Sequence, residues 1–406
     1  MEFKTLTEEE FRLFLDKHPQ KTFLQTPEIA KLREKSGWKK HYVGVFDNEV
    51  LVSATMMISK NTHFGKCEFY APRGFLTDYN NEELLAFFTK KVKEYIKRNK
   101  GYLLRIDPYL ALVERDNDAK IVEGGFDNRK VLKSLKKLGY IKKEKSEQAE
   151  WIYVLNIENK TSEEILKNMK PNTRNIIRKT KRSGLKIKIL SYDELPIFEK
   201  IIVETGQRKG FPVRNINYFK QMYEIFSPRN EIKFMLVYLD VIEYISILNN
   251  EKIILQEKIS KLSSSVCNDK KREEYKKGIL NIDKKITEAK NLKEENGNEI
   301  LLAASMFLLI QPEIIYLWSG NVEKYLKFNG QYLLQWEMIQ LAVKEGYKRY
   351  NFYGIGNTFD KKDPYYGVYE FKKGFNGHVE QLIGEFVLPV DKIFYNLFKL
   401  VHKIKK

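Results

Sequence analysis

Residues 241–290, VIEYISILNNEKIILQEKISKLSSSVCNDKKREEYKKGILNIDKKITEAK, decide how the rest of the chain is read. Ile245, Leu248, Leu255, Ile259, Leu262 and Val266 recur at three- to four-residue helical spacing, with Lys252 as the one interruption. Tyr275, Ile279, Ile282, Ile286 and Ala289 resume the rhythm after SSSVCND. Such spacing puts one apolar stripe on each of two helices. Elsewhere the helices carry Glu251, Gln256, Lys258, Lys271, Arg272, Lys276, Lys284 and Lys285, so the pair is predicted to form an antiparallel coiled-coil arm. At ~1.5 Å per residue, helices of roughly 25 residues would project about 35 Å. The alternative is a pair lying flat on the body. Strand patterns continue on both sides, IKFMLVYL before and ILLAASMFLLI after, so the segment 241–296 reads as an insertion into a mixed α/β unit.

That unit takes in 146–240 and 297–384: a strand from Trp151, a basic helix, strand KIKIL, a helix and IKFMLVYL, then EIIYLW, a helix over about 332–345 and strand RYNFYG. A similar order precedes it in 1–145. Helices are predicted near 8–17 and 27–36, then a hairpin in HYVGVFDNEVLVSATMMIS turning at Asp47-Asn48, a helix over about 81–99, and the strand YLLRIDP. Two successive mixed α/β units follow, without a strict repeat, in a chain of 406 residues that is long enough for about two or three domains.

Lys and Arg number 72 against 54 Asp and Glu, a formal charge of +18 that favours polyanionic partners: nucleic acid, anionic lipid or phosphorylated substrates. The two cysteines, Cys67 and Cys267, support neither a disulfide framework nor a thiolate metal site, and the chain reads as reducing and cytoplasmic. The acidic N-terminus lacks a secretory pattern. The longest apolar stretch, 300–310, runs into Gln311, Pro312 and Glu313 and is too short for a bilayer span. Any membrane contact is therefore expected to be peripheral.

The five histidines, His18, His41, His63, His378 and His402, show no metal-ligand spacing and no nucleophile pairing. GIGNTF at 354–359 has Phe359 where a dinucleotide fingerprint needs its third glycine, and reads as a turn. The segment NMKPNTRNIIRKTKRSGLKIK, 168–188, is predicted to start a helix at Pro171 with Asn172 or Thr173 and stop it at Gly184. Arg174, Arg178 and Lys181 or Arg182 then share a face, whose like-charge repulsion of a few tenths of a kcal/mol per pair a phosphate partner would offset. In KGFPVRNINYF, 209–219, Arg214 and Tyr218 lie one helical turn apart beside a helix break, apt for a diphosphate. Finally YEFKKGFNG, 369–377, sets Lys372 and Lys373 among aromatic rings and ends on two glycines; taken alone it reads as a strand end whose lysines reach solvent.

Together these residues resemble the Fem family of peptidyltransferases, which add amino acids from aminoacyl-tRNA to peptidoglycan precursors. The likeness runs from about Phe23 to Pro389 through RGFLTDY, YLLRIDPYL, the basic helix, the charged hairpin ending in EENGNEI, QWEMIQLA, RYNFYGIGNTFD and GVYEFKKGFNGHVEQLIGEF. Phe75 after Arg73-Gly74 and WSGN at 318–321 depart from the family pattern, which bears on donor or acceptor preference. The resemblance implies two tandem GNAT-type acyltransferase domains, the first comprising 1–145 joined by 385–406, with the arm inserted in the second.

The implied reaction carries Gly, Ala or Ser from aminoacyl-tRNA to a stem-peptide amine of lipid II or UDP-MurNAc-pentapeptide. The tRNA is a co-substrate; no cofactor or metal is expected. Residue by residue, the resemblance assigns Lys372 to the oxyanion or a nearby phosphate, with Lys373 solvated and Phe371 walling the acceptor channel. It assigns Arg33 and Arg214 to the precursor diphosphate, Lys31 lying one register from Arg33. Tyr102, Tyr218 and Tyr316 are placed in the acceptor groove, and Asp107 acts as base or as orienting group. Arg174, Arg178, Lys181 and Arg182 are expected to meet tRNA, and the arm resembles tRNA-contacting hairpins of synthetases. Expected partners also include the anionic inner leaflet and relatives of the same family. The competing classes are an acyl-CoA N-acyltransferase, for which GIGN is a poor pyrophosphate loop, and a non-enzymatic tRNA- or membrane-binding protein, which would leave the aromatic-lysine run without a task.

Overall fold

A computed structural model describes residues 1–263, 266–363 and 366–404. Part of the SSSVCND turn (264–265) and the side chains of His63, Val266, Cys267 and His402 lie outside the described residues. Two seven-stranded mixed sheets form the frame. In the first, the spatial order is Glu2–Thr5, Lys39–Asp47, Val50–Asn61, Cys67–Ala71, Gly101–Ile106, Phe386–Pro389, Ile141–Lys142. In the second it is Leu185–Ile189, Ile232–Asp240, Glu299–Ile310, Glu313–Asn321, Arg349–Gly354, Trp151–Asn156, His378–Gln381.

Written this way the sheets match strand for strand: each has one parallel pair, between its fourth and fifth strands, and antiparallel neighbours elsewhere. The sixth strand breaks the sequence order. In the first sheet it comes from 386–389, beyond the whole second sheet, and in the second from 151–156, ahead of it.

Local chemistry sets most boundaries. Thr7 and Glu10 cap the helix Glu8–Lys17 reciprocally, Thr26 caps Pro27–Glu34, and Asn81 caps Glu82–Arg98. The hairpin turns one residue later than expected, at Asn48-Glu49 (φ 45° and 67°), because Asp47 still pairs with Val50. The basic helix starts at Pro171 as expected, with Lys170 as its uncapped N-cap, because proline suits the first helical position, but it ends at Thr180, ahead of Gly184, which instead closes the turn that follows. YEFKK is the end of a helix, not a strand end, and GFNG follows it as a turn: Tyr369 and Lys372, three residues apart, are the buried side chains of Tyr366–Lys373.

One face of the first sheet is covered by Glu82–Arg98 and Arg129–Lys137, around Phe69, Phe88 and Leu135. One face of the second is covered by Pro171–Thr180, Gly330–Lys344 and Tyr366–Lys373, around Tyr153, Leu334 and Phe352. The two inner faces share one core. Phe11, Ile29, Met56 and Tyr70 from the first half join Phe198, Phe219, Phe234 and Met306 from the second in it. That continuous burial fixes the halves against each other.

The inserted segment forms Val241–Ser260 and Val266–Asn296. Lys252, the sequence interruption, binds Asp283 at 2.7 Å, and Leu255 lies against Gly278, so the helices run in opposite directions. Leu248, Ile282 and Ile286 are buried between them. At the base, Ala289 enters the core of the second sheet, while Lys327–Glu288 and Lys324–Glu295 pairs (2.6 and 2.9 Å) tie the second helix to the body.

Candidate active site

Two parallel strands that part leave an opening with unpaired backbone on either side. In the second sheet the parallel ladder runs only from Glu313↔Arg349 to Ile315↔Asn351, although both strands continue beyond it. A register shift between Asn351 and Gly354 accompanies the parting, with Tyr353 in the left-handed region at φ 62°. Lys372 fills the gap. Its Nζ donates to the Gly354 carbonyl at 2.6 Å and lies 5.9 Å from the centre of the Tyr316 ring, which stacks on Phe307. The side chain is 5% exposed, and among the described residues no carboxylate pairs with it. Burial therefore pulls its pKa down to about 7. With a pKa there, this amine is poised between charged and neutral, and an approaching anion would draw the proton onto it.

A second cluster lies on Tyr218. The Arg214 guanidinium sits 5.4 Å from its ring, and burial raises the phenol's pKa against the opposing fields of Arg33 and Arg214. On the helix Pro27–Glu34 and just beyond it, Lys31 binds Glu8 and Lys35 binds Glu224, whereas Arg33 makes no ion pair among the described residues, and neither does Arg214. Two unneutralised guanidinium groups beside one hydroxyl suit a phosphate-bearing ligand.

The matching opening in the first sheet is closed. Its parallel ladder ends at Ala71↔Ile106, and just beyond it the Arg73 amide donates to Asp107 Oδ1 at 2.8 Å while the Arg73 guanidinium stands 3.5 Å from Oδ2. Both side chains are nearly inaccessible. Burial lifts the Asp107 pKa to about 6 against the pull of Arg73, and Oδ2 has no hydrogen-bond partner among the described residues. Tyr353 joins the three clusters: it precedes Gly354, Arg73 and Asp107 act on its phenol, and its field reaches Tyr218. Its hydroxyl donates to Gln148 at 3.3 Å.

Below these lies a buried bridge between the halves. The Tyr109 hydroxyl donates to Glu313 at 3.0 Å and accepts from Arg349 and Asn351, and Arg349 also holds Glu380 at 3.1 Å. Burial alone would raise Glu380, but Arg349 and His378 bring it down to about 2; Glu313, fully enclosed, stays raised by burial. No His/Cys/Asp/Glu cluster suited to a metal occurs among the described residues.

A model of the FemAB family matches residues 6–403. The chain belongs to that family. It is 33% identical over 428 residues to the aminoacyltransferase FemA of Staphylococcus epidermidis, covering all of both chains, and 32% identical over 422 residues to FemA of Staphylococcus aureus, covering all of this chain and 99% of that one. A crystal structure of FemX superposes with a TM-score of 0.79 at 24% identity, spanning 98% and 99% of the two chains. A tandem GNAT protein from clavulanic acid biosynthesis superposes at 0.50 with 8% identity, over 96% and 98%. The fold is thus the tandem GNAT arrangement expected from the sequence.

In this FemAB chain, Tyr353 meets the fields of Asp107 and Tyr218, Tyr218 those of Arg33 and Arg214, and the next residue, Gly354, holds Lys372 beside Tyr316, whereas Tyr102 and Phe371 stand elsewhere or face away. Tyr102 is buried under the C-terminal helix, against Phe394 and Phe398 (4.9 and 5.4 Å), five residues and about 17 Å of strand from Asp107. Phe371 points onto Tyr332 and Phe375 and knits two helices together. Lys373 is not solvated but paired with Asp118. The glycines after it serve the protein's own packing: a Cβ at Gly374 would strike Thr173, and one at Gly377 the Val154 backbone. In the basic helix, Arg174 caps the Lys167 carbonyl at 2.7 Å and Lys181 reaches Gln340 and the Trp336 ring, which leaves Arg178 and Arg182 exposed without ion pairs among the described residues. Arg73 and Tyr353 were missed as functional candidates, although RGFLTDY and RYNFYG carry them. Their signal is the left-handed backbone, φ 54° and 62°, which sequence does not display for a non-glycine residue.

Proposed function

We propose that this aminoacyltransferase moves Gly, Ala or Ser from aminoacyl-tRNA onto a stem-peptide amine of a peptidoglycan precursor, lipid II in preference to the soluble nucleotide form, and so builds an interpeptide bridge. The observation that carries the reading is the buried, carboxylate-free amine of Lys372 set in the gap between parting strands. An aminoacyl ester is already activated, so the protein must align amine and carbonyl, stabilise the tetrahedral oxyanion and exclude water. The incoming amine adds to the ester carbonyl, the C–O bond to the ribose breaks, and the proton lost by the amine ends on the departing ribose hydroxyl. Lys372 in its ammonium form meets the negative oxygen; its low-dielectric surroundings strengthen that field and let the anion raise its proton affinity.

Arg33 and Arg214 grip the precursor diphosphate with Tyr218 between them, and Asp107, whose buried Oδ2 lacks a hydrogen-bond partner beside Arg73, orients the acceptor. Transfer RNA reaches the site past Arg178 and Arg182 and along the helical pair, with affinity falling steeply as salt rises. We read the units as 1–145 with 385–406, and 146–240 with 297–384. A lipid-linked acceptor brings the protein to an anionic inner leaflet.

The test is incubation with radiolabelled Gly-, Ala- or Ser-tRNA and lipid-linked or nucleotide-linked precursor, followed by muropeptide analysis. Label on the stem-peptide bridge is the expected result. Acetyl-CoA turnover, or RNA binding without transfer, would replace this reading with another.

A further inference from the structure

The C-terminal helix, Lys392–Ile404, serves none of the chemistry above. Asp391 caps it, with Oδ1 accepting from Phe394 N at 3.1 Å and Oδ2 held by Lys66 at 2.8 Å. Phe394, Tyr395 and Phe398 then seal Tyr102, Leu103 and Val387 of the first sheet. With that face accounted for, Ile393 and Leu397, one turn apart, are left 77% and 57% exposed. Beside them, on the turn His63–Gly65, Phe64 is 90% exposed and its ring stands 6.3 Å from that of Phe394. Isolated exposed apolar residues are ordinary; three large ones on adjoining elements form a patch.

Its surroundings name the occupant. Residues 392–406, KIFYNLFKLVHKIKK, hold five lysines and no carboxylate, and Lys392 and Lys399 are exposed at the rim. Asp391, the nearest acid in sequence, is engaged by Lys66. Two copies of so positive a face repel each other, and a nucleic acid gains nothing from aliphatic side chains. An anionic bilayer satisfies both features, headgroups taking the lysines and the acyl boundary taking Ile393, Leu397 and Phe64. We propose that this helix and the adjoining turn are the surface by which the protein seats on an anionic membrane. The inference rests on the membrane-borne acceptor for its purpose, but the physical binding it asserts is independent of the transfer reaction.

Sedimentation of the full chain with vesicles tests it, using phosphatidylcholine alone or mixed in equal parts with phosphatidylglycerol. The wild type is expected to bind the mixed vesicles and ignore the neutral ones. Ile393→Asp with Leu397→Asp, both on the outward face, should weaken binding by at least about tenfold, and Lys392→Gln with Lys399→Gln by about fivefold per lysine, with circular dichroism unchanged. Binding unaltered in the aspartate variant overturns the assignment, as does self-association through this face without vesicle binding. Transfer to a nucleotide-linked acceptor separates the two readings. A wild type that transfers but ignores mixed vesicles removes this surface and leaves the reaction standing; one that binds vesicles through this helix and transfers nothing does the reverse.

Discussion

Lys372→Met should make the protein more stable and inactive, and the pH dependence of that gain measures the burial directly. An unfolded chain keeps the lysine proton up to its ordinary value of 10.5, whereas the folded protein releases it near 7. Between those pH values folding expels a proton, so stability rises with pH; below about 7 the full cost of the buried ammonium is present. Worked from those two values, the cost is about 4 kcal/mol at pH 7 and falls to under about 1 kcal/mol at pH 10. Methionine keeps the unbranched stem and carries no charge, but it abandons the Gly354 carbonyl, a loss of about 1–2 kcal/mol. The variant should therefore gain roughly 2–3 kcal/mol at pH 7 and show a small deficit at pH 10. Urea midpoints across that range, with unchanged m-values, give the difference curve. A flat difference, or a variant weaker than wild type at pH 7, would refute the claim that a desolvated amine occupies the gap. Transfer at the wild-type rate in the stabilised variant would leave the amine without its catalytic role.

The remaining expectations concern groups around that gap. If the ammonium is the required form, kcat/KM should decline as pH rises past about 7, and Lys372→Met should erase that limb along with turnover. Arg33→Ala and Arg214→Ala should each weaken diphosphate binding by about 1–3 kcal/mol, with a non-additive double variant, measured by titration with the nucleotide-linked precursor; additive losses would mean that they do not share a ligand. Tyr109→Phe removes a hydroxyl bonded to Glu313, Arg349 and Asn351, and should cost about 1–3 kcal/mol of stability in urea. Replacing 249–292 by a short linker should spare precursor binding and impair use of charged tRNA; unchanged kinetics would reject the arm as an RNA contact.

Regular spacing made most of the frame legible. The strands IKFMLVYL, ILLAASMFLLI and RYNFYG and the helical insertion announce themselves by period. What spacing could not supply was long-range pairing: nothing local tells Phe386–Pro389 to join Gly101–Ile106, nearly three hundred residues earlier. The site divides the same way. Lys372, Arg214 and Tyr218 stand in motifs with recognisable chemistry, and their roles came with the family resemblance. Tyr102 misled because an aromatic residue in a strand reads identically whether it faces a ligand or a helix, and Phe394 and Phe398 that cover it lie at the far end of the chain. Tyr353 and Arg73 stayed hidden because what sets them apart is a left-handed backbone.

The two sheets repeat one design and put it to opposite uses, which frames a test of Asp107. Each sheet has a single parallel pair whose strands part. In the second the gap holds a lone amine; in the first it is closed by Arg73 against Asp107, side chains 3% and 1% exposed. Were Asp107 only a plug, Asp107→Asn would strand a buried guanidinium, costing about 3–5 kcal/mol of stability, with transfer by the folded fraction intact. Were it an orienting group, its buried Oδ2 taking up the acceptor, the folded enzyme would also lose turnover with little change in donor KM. A conservative Arg73→Lys separates the two, because it keeps a cation beside the carboxylate and alters the plug alone. We expect Asp107→Asn to lose both stability and turnover and Arg73→Lys to lose chiefly stability; equal loss of turnover in the two variants would place the pair outside acceptor handling.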